Sequence, residues 1–344
     1  MKTKSSNKNL HKASAAKKDE FYTQLADIEN ELKYYKDQFH GKVIFCNCDD
    51  PKESNFVKYF SKNFEHLGLK KLIATHYKNA NLFTKESPYK LEYYGDKNGN
   101  RMPDPSEFMT EMISDGDFRS KECIELLKEA DIVVTNPPFS LFRDYLAQLV
   151  EYKKKFLIIG NTNAMTYKEV FKLIKDNKLR TGYTNFNVGM FFIVPDDWEL
   201  FHHIDENGKK IARVSTSCWF TNLEVEKHKQ EITLYKKYTP EEYPKYENYD
   251  AINVDKVSEI PMNYSGDMGV PITFLDKYNP KQFEIVGLGI SNSGIEIGVK
   301  PYTEEHKKYR KEIQKRGAVD GDLYMIKNGI VDVPYARVII KNKK

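Results

Sequence analysis

Long apolar runs are missing from this chain. In 344 residues no stretch approaches the roughly 20 residues needed to span a bilayer, and the first residues lack the apolar core of a signal peptide. Cysteine is scarce as well. Cys46, Cys48, Cys123 and Cys218 are the only four, and their single close pair is C-x-C, with no second pair or histidine cluster to complete a zinc site. They read as free thiols in a reducing cytoplasm, in a protein without a metal. There is no internal repeat, and no histidine or paired-carboxylate constellation of the kind used for general acid–base work. Net charge is only +4, with 40% hydrophobic and 30% charged residues, ordinary for a globular protein. What charge imbalance exists is local.

Residues 1–18 carry Lys2, Lys4, Lys8, Lys12, Lys17 and Lys18 and no acid. A segment of this composition cannot bury enough apolar surface to fold alone. It suits a solubilising tail and an arm that neutralises nucleic-acid phosphates equally well. Beyond it, Leu25, Ile28, Leu32, Tyr35 and Phe39 recur at helical spacing, and Gly41 stops the pattern. Val43–Cys46 reads as a short strand. Ser54 is placed to cap a helix bearing Phe56, Phe60, Phe64 and Leu67, closed by Gly68, and Leu72–Thr75 completes a β-α-β unit of a parallel sheet.

Residues 78–114 look like an insertion with a hairpin about Asp96-Lys97-Asn98-Gly99. Helix 120–130 then leads into the apolar strand Asp131–Thr135. A further helix (Leu141 to Leu149), strand Phe156–Ile159 and helix 167–178 follow. Val188–Val194 and Arg213–Leu223 are two strands without a helix between them, which predicts an antiparallel hairpin at the sheet edge. After about Leu223 the alternation ends. Tyrosines and lysines dominate residues 235–249, strand-like pieces lie at Ile272–Leu275 and Arg337–Lys341, and Glu304–Arg316 is strongly basic. The domain boundary therefore falls near 225.

The strand 131–135 delivers Asn136-Pro137-Pro138-Phe139. Two prolines fix φ and remove two backbone donors, leaving carbonyls, an amide side chain and a ring. That inventory suits an exocyclic amine on a planar ring, with the Asn136 side-chain oxygen and the Pro137 carbonyl each accepting one N–H; for an isolated Pro-Pro, a proline-stiffened loop after a core strand is the competing reading.

Taken with Phe21-Tyr22-Thr23 before the first strand and Asp117-Phe118 before the fourth, this order of motifs resembles amino-group methyltransferases of the γ arrangement. Asp19–Leu32, Cys46–Pro51, Gly116–Ser120, Asp131–Phe142, Lys155–Ile159, Tyr249–Val254, Met268–Leu275 and Arg337–Lys343 are similar to the EcoRI-type adenine-specific DNA methyltransferases. The likeness weakens in 78–110 and 288–322. It implies an α/β, Rossmann-like class I fold using S-adenosylmethionine, with a C-terminal α+β target-recognition region. The corresponding domains are a basic arm (1–18), a catalytic domain (19–224) and a recognition region (225–344). By the same resemblance Asn136, Pro137, Pro138 and Phe139 are catalytic. Phe21, Tyr22, Thr23, Cys46, Asn47, Asp49, Asp117, Phe118 and Asn136 meet the cofactor, and Lys4, Lys8, Lys12, Lys17 and Lys18 meet DNA. Two departures from the wider superfamily stand out. Thr75-His76-Tyr77 replace the acid that binds ribose, and the loop after the first strand is not G-x-G, so ribose binding passes to Asp49 or Asp50.

The resemblance implies monomeric action on duplex DNA, at a GAATTC-like site. RNA or protein-glutamine methylation, and a non-catalytic DNA-binding module, are the competing classes. The Phe191, Phe192 and Trp219 rings are candidates for the rest of a base pocket.

Overall fold

The computed structural model describes residues 21–77, 87–96, 109–196 and 198–343. The chain divides into two compact units, one of residues up to 164 plus 181–224, the other of 165–180 plus 225–344.

In the first unit, β1 (Tyr22–Thr23) is followed by helix α1 (Leu25–Leu32) and a short helix α2 (Lys36–Phe39). The apolar stripe that reads as one helix is thus interrupted at 33–35, although Ile28, Leu32, Tyr35 and Phe39 are all buried. Strand β2 (Val43–Cys46) is buried throughout. Helices α3 (Asn55–Lys62) and α4 (Phe64–Leu67) carry the second stripe. Ser54 caps α3 by accepting the Phe56 N–H at 3.1 Å, and Gly68 closes α4 in the left-handed conformation.

Strand β3 (Lys71–Thr75) pairs parallel to β2. The insertion then contributes two antiparallel strands, β4 (Tyr89–Tyr93) and β5 (Met109–Glu111), beyond β3; residues 97–99 of the expected hairpin lie outside the described residues. Helix α5 (Lys121–Glu129) precedes β6 (Ile132–Thr135), which pairs parallel with β2 on its other side. Helix α6 (Phe142–Glu151) leads to β7 (Lys155–Asn161), parallel to β6. From β2 the chain thus builds outward first to one side and then to the other. The C-terminal ends of β2 and β6 flank the point where strand order reverses, where open α/β sheets bind ligands.

The expected edge hairpin is instead shared between two sheets. β9 (Met190–Ile193) pairs with β11 (Lys210–Val214) and with β1 in a separate four-stranded sheet, with β10 (His203–Ile204) outermost. The run then bends at 215–216, and β12 (Ser217–Thr221) pairs antiparallel with β7 in the main sheet, between it and β8 (Arg180–Thr181). One continuous run of chain therefore serves two layers, which is why Val214 and Trp219 are both buried.

The second unit is built on β13 (Ala251–Asn253), β14 (Asp267–Pro271), β15 (Phe283–Gly289) and β18 (Arg337–Asn342), in the order β13-β14-β18-β15. A two-stranded ribbon, β16 (Met325–Lys327) and β17 (Ile330–Asp332), lies outside this sheet. Residues 272–277 are a 3₁₀ turn, not the expected strand. Phe274 and Leu275 are both buried although adjacent, which an alternating strand with one solvated face does not allow. Helix α7 (Lys168–Lys175) belongs to this unit, with Lys175 Nζ donating to the Val286 carbonyl at 2.6 Å. The basic segment forms helix α9 (Glu304–Glu312), following a short α8 (Ser291–Glu296). Within the tyrosine-rich stretch Tyr243 and Tyr246 are buried, whereas Tyr235 stays exposed.

Candidate active site

Asn136 emerges from the buried end of β6 and is itself 8% exposed. Its Nδ2 donates to the Phe21 carbonyl at 2.7 Å. A carbonyl can only accept, so this contact fixes which end of the amide points where. Oδ1 is left buried and without a partner. Buried acceptors are normally satisfied, by protein, water or ligand. Pro137 is buried behind it, and Pro138 and Phe139 are half-buried.

Four rings from three parts of the chain gather round this acceptor. Phe21 meets Phe139 with centroids 6.3 Å apart, Phe192 at 6.0 Å and Trp198 edge-on at 5.2 Å. Phe139 meets Phe192 at 6.1 Å and 85°. Pairing of β1 with β9 sets Thr23 opposite Phe192, so the Phe-Tyr-Thr element and Phe192 are parts of one sheet. Phe191, one residue along, turns to the other face toward His202 and His203. Trp219 is wholly buried, edge-on to Phe56 and donating to Asn185. It is a core residue, and Trp198 holds the place in the wall. Trp198 carried no periodic signal, because it lies in a turn; the only clue was a large aromatic in the polar run 195–199.

The loop after β2 ties the two strand ends together. Cys48 adopts φ 66°, a left-handed conformation uncommon for a non-glycine residue, and this turns Asn47 and Asp49 back toward β6. Asn47 is buried; its Oδ1 accepts the Tyr145 hydroxyl and its Nδ2 is unpartnered. Asp49 is buried too. It accepts the Ser54 hydroxyl at 2.9 Å, the Asn136 backbone N–H, and touches the Thr135 hydroxyl. Burial pushes its carboxyl up to about 7. The neighbouring Cys46 thiol is likewise raised by burial and then by the Asp49 charge.

Asp50 differs from Asp49. It remains partly exposed and faces His76 at 3.2 Å, where the wider superfamily has an acid at the end of the second strand. Burial works against its ionised form, but bonds from His76, Tyr89 and the Lys52 N–H hold its carboxyl below the usual range.

Gly116 lets the next loop reach this edge. Its φ is +82°, and a Cβ there would stand 2.1 Å from the His76 carbonyl oxygen. Phe118 is thereby buried edge-on against Tyr145 at 5.1 Å. Asp117 is engaged by Arg119, with Nε at 2.9 Å on one oxygen and Nη2 at 2.7 Å on the other. These bonds depress its carboxyl. Tyr22 points away from the aromatic wall and lines a separate cavity of about 450 Å³ with Glu53, Asn55, Lys58 and Lys209. Lys4, Lys8, Lys12, Lys17 and Lys18 lie outside the described residues. Among the described residues no group of His, Cys, Asp and Glu is arranged to hold a metal ion, and no helix is long and apolar enough to cross a membrane.

Over residues 9–343 the chain matches the family described as adenine-specific methyltransferase EcoRI. It belongs to the EcoRI-type adenine-specific methyltransferase family. The type II methyltransferase M.EcoRI of Escherichia coli is 47% identical over 353 residues, covering 100% of this chain and 99% of its own. Two Mycoplasma type II methyltransferases match over shorter spans. M.MgeORF184P of Mycoplasma genitalium is 41% identical across 81% of this chain and 85% of its own. M.MpnI of Mycoplasma pneumoniae is 40% identical across 80% and 84%. No solved structure matches significantly. As a member of this family the protein is an adenine-specific DNA methyltransferase of the restriction-modification type, with a class I fold, and it uses S-adenosylmethionine.

The site fits that cofactor. Thr23 Oγ1, Gln24 Nε2, Asn47 Nδ2 and Asn136 Oδ1 are all buried and unpartnered. Thr23 belongs to the Phe-Tyr-Thr element, Gln24 follows it, Asn47 lies in the loop after β2 and Asn136 in the turn after β6, so the orphaned groups sit where a polar ligand would satisfy them.

Proposed function

We propose that this enzyme methylates the exocyclic amine of an adenine turned out of duplex DNA, held by Asn136, Pro137, Pro138 and Phe139. The observation that carries this reading is the buried, unpartnered Asn136 Oδ1, with its amide locked by the Phe21 carbonyl. Asn136 Oδ1 and the Pro137 carbonyl accept the two amine hydrogens and draw the nitrogen toward tetrahedral geometry, aiming its lone pair outward. Such fixed dipoles stabilise the positive charge that develops on nitrogen, each worth on the order of 3 kcal/mol. No titrating base takes part. Phe139 stacks on the base, and Phe192 and Trp198 complete a dry wall. Extruding the base costs a few kcal/mol, which stacking helps to offset.

The cofactor supplies an electrophilic methyl on sulfur. Phe21, Thr23, Cys46 and Asn47 serve its methionine end. Asp117 and Phe118 serve its adenine, Arg119 yielding one Asp117 oxygen to the adenine amine. Asp50, not the buried Asp49, serves the ribose hydroxyls. Tyr22 shapes the outer face of the same strand. Residues 19–164 and 181–224 serve as the catalytic domain, and 225–344, joined by the helix within 165–180, as the recognition region. The basic arm 1–18, through Lys4, Lys8, Lys12, Lys17 and Lys18, binds phosphates. Action is monomeric and cytoplasmic, at a GAATTC-like site.

The test is transfer of labelled methyl to unmethylated duplex DNA, RNA and protein. The expected product is N6-methyladenine in duplex DNA, with Asn136→Ala inactive. Label confined to RNA or protein, or an active Asn136→Ala enzyme, refutes the reading.

A further inference from the structure

Thr135 Oγ1 lies in hydrogen-bond contact with two oxygens at once, the Asn47 carbonyl and Asp49 Oδ2. A threonine hydroxyl carries one proton, and a carbonyl carries none. One proton cannot fill both gaps, so the second must come from the carboxyl. The other Asp49 contacts are both donors, the Ser54 hydroxyl at 2.9 Å and the Asn136 backbone N–H. A neutral carboxyl satisfies every partner, since it donates once through Oδ2 and accepts the rest. An ionised one leaves two oxygens facing each other with no hydrogen between.

We propose that Asp49 is a positioning residue of the methyl-transfer turn and acts as a neutral acid. It donates to Thr135 Oγ1, which donates to the Asn47 carbonyl, and it receives the Asn136 N–H. This chain joins the end of β2 to the end of β6 and sets the depth of Asn136, whose Oδ1 must meet the target amine. The inference rests on the catalytic reading of Asn136 and assigns Asp49 a role distinct from cofactor contact.

The surroundings favour the neutral form. Among the described residues the titratable groups about Asp49 are Cys46, Cys48, Asp50 and Tyr145, none of them a cation, and His76 is engaged by Asp50. Burial, the largest influence on Asp49, opposes charge, and Asp50 adds to it.

Four full-length variants test this, by single-turnover methylation of unmethylated duplex DNA bearing GAATTC and by calorimetric affinity for S-adenosylhomocysteine. Asp49→Asn keeps a donor and an acceptor but cannot ionise. The wild-type rate should fall as pH rises through the Asp49 titration, and Asp49→Asn should hold its rate between about pH 6 and 9. Asp49→Ala and Thr135→Val break the chain and should lower the rate at saturating cofactor by about 100-fold, as misplacements near 1 Å do. Their affinity for S-adenosylhomocysteine should stay within about threefold of wild type, since only positioning is lost. A pH profile of Asp49→Asn that superimposes on the wild type overturns the proposal. So does weakened S-adenosylhomocysteine binding by Asp49→Ala and Thr135→Val with turnover at saturation intact. Asn136→Ala separates the two readings. If it methylates normally, the catalytic turn itself is misassigned; if it is inactive while Asp49→Asn behaves as Asp49→Ala, only the role of Asp49 fails.

Discussion

The Asp49→Asn substitution has a thermodynamic signature independent of catalysis. In the unfolded chain the Asp49 carboxyl titrates near 3.8, and in the folded protein burial raises it to about 7. A raised carboxyl binds its proton more tightly in the folded state, so stability falls as pH rises from the unfolded value to the folded one and is flat above it. The span is about a thousandfold in proton affinity, or roughly 4 kcal/mol once both states are ionised. At pH 5 only about 1.7 kcal/mol of that is lost, which leaves roughly 2.5 kcal/mol to be lost between pH 5 and pH 8. Asparagine cannot ionise and escapes this loss while keeping the contacts to Ser54, Thr135 and Asn136. The advantage of Asp49→Asn over wild type should therefore grow by about 2–3 kcal/mol across that interval. Parallel urea titrations of the two proteins at matched ionic strength, followed by tryptophan fluorescence, measure it. A constant gap from pH 5 to pH 8, or one that narrows, refutes both the raised affinity and the neutral carboxyl.

Other outcomes follow from single contacts. Trp198→Ala strips the edge-on partner from Phe21; losing stacking worth ~1–3 kcal/mol, it should bind duplex DNA with 2-aminopurine at the target position with weaker base extrusion, read as reduced fluorescence enhancement. Unchanged enhancement removes Trp198 from the wall. In Gly182→Ala a Cβ would stand 2.2 Å from Glu31 Oε1 and 2.6 Å from Trp219 Cβ. It should be destabilised by about 1–3 kcal/mol, as overpacked cores are, and a neutral result in thermal melts contradicts that packing. Deleting residues 1–18 should weaken DNA binding and flatten the dependence of log K on log salt, because released counterions set that slope. A slope equal to the full chain's makes the segment a solubilising tail.

The parallel half of the first unit was legible because buried strands and amphipathic helices alternate there, each with its own stop signal such as Gly68. Asn136 was legible for a different reason: its neighbours Pro137 and Pro138 limit what the turn can offer. Sequence pattern failed where one apolar run is divided by tertiary structure. Within Arg213–Leu223 the short polar run Ser215-Thr216-Ser217 is the one mark of the bend at 215–216, too brief to read as the end of one strand and the start of another. Trp219 was expected in the pocket and lies in the core, because aromaticity alone does not say which ring faces a core and which faces a cleft. Asp49 and Asp50 are adjacent acids, alike in sequence, and only folding buries one and leaves the other partly open beside His76.

The helix Lys168–Lys175 turns this chain into an interleaved one. Its buried Val170, Phe171 and Ile174, its bond from Lys175 to Val286 and the ion pair of Lys168 with Glu296 at 2.5 Å all belong to the second unit, yet it is encoded within the first. The polypeptide passes between units at 164/165, 180/181 and 224/225. Exchange of the second unit between relatives therefore cannot proceed by a single crossover near codon 225. A graft that leaves residues 165–180 behind mates a foreign sheet to a native helix, and such a chimera has to repair that joint before it can fold as either parent does.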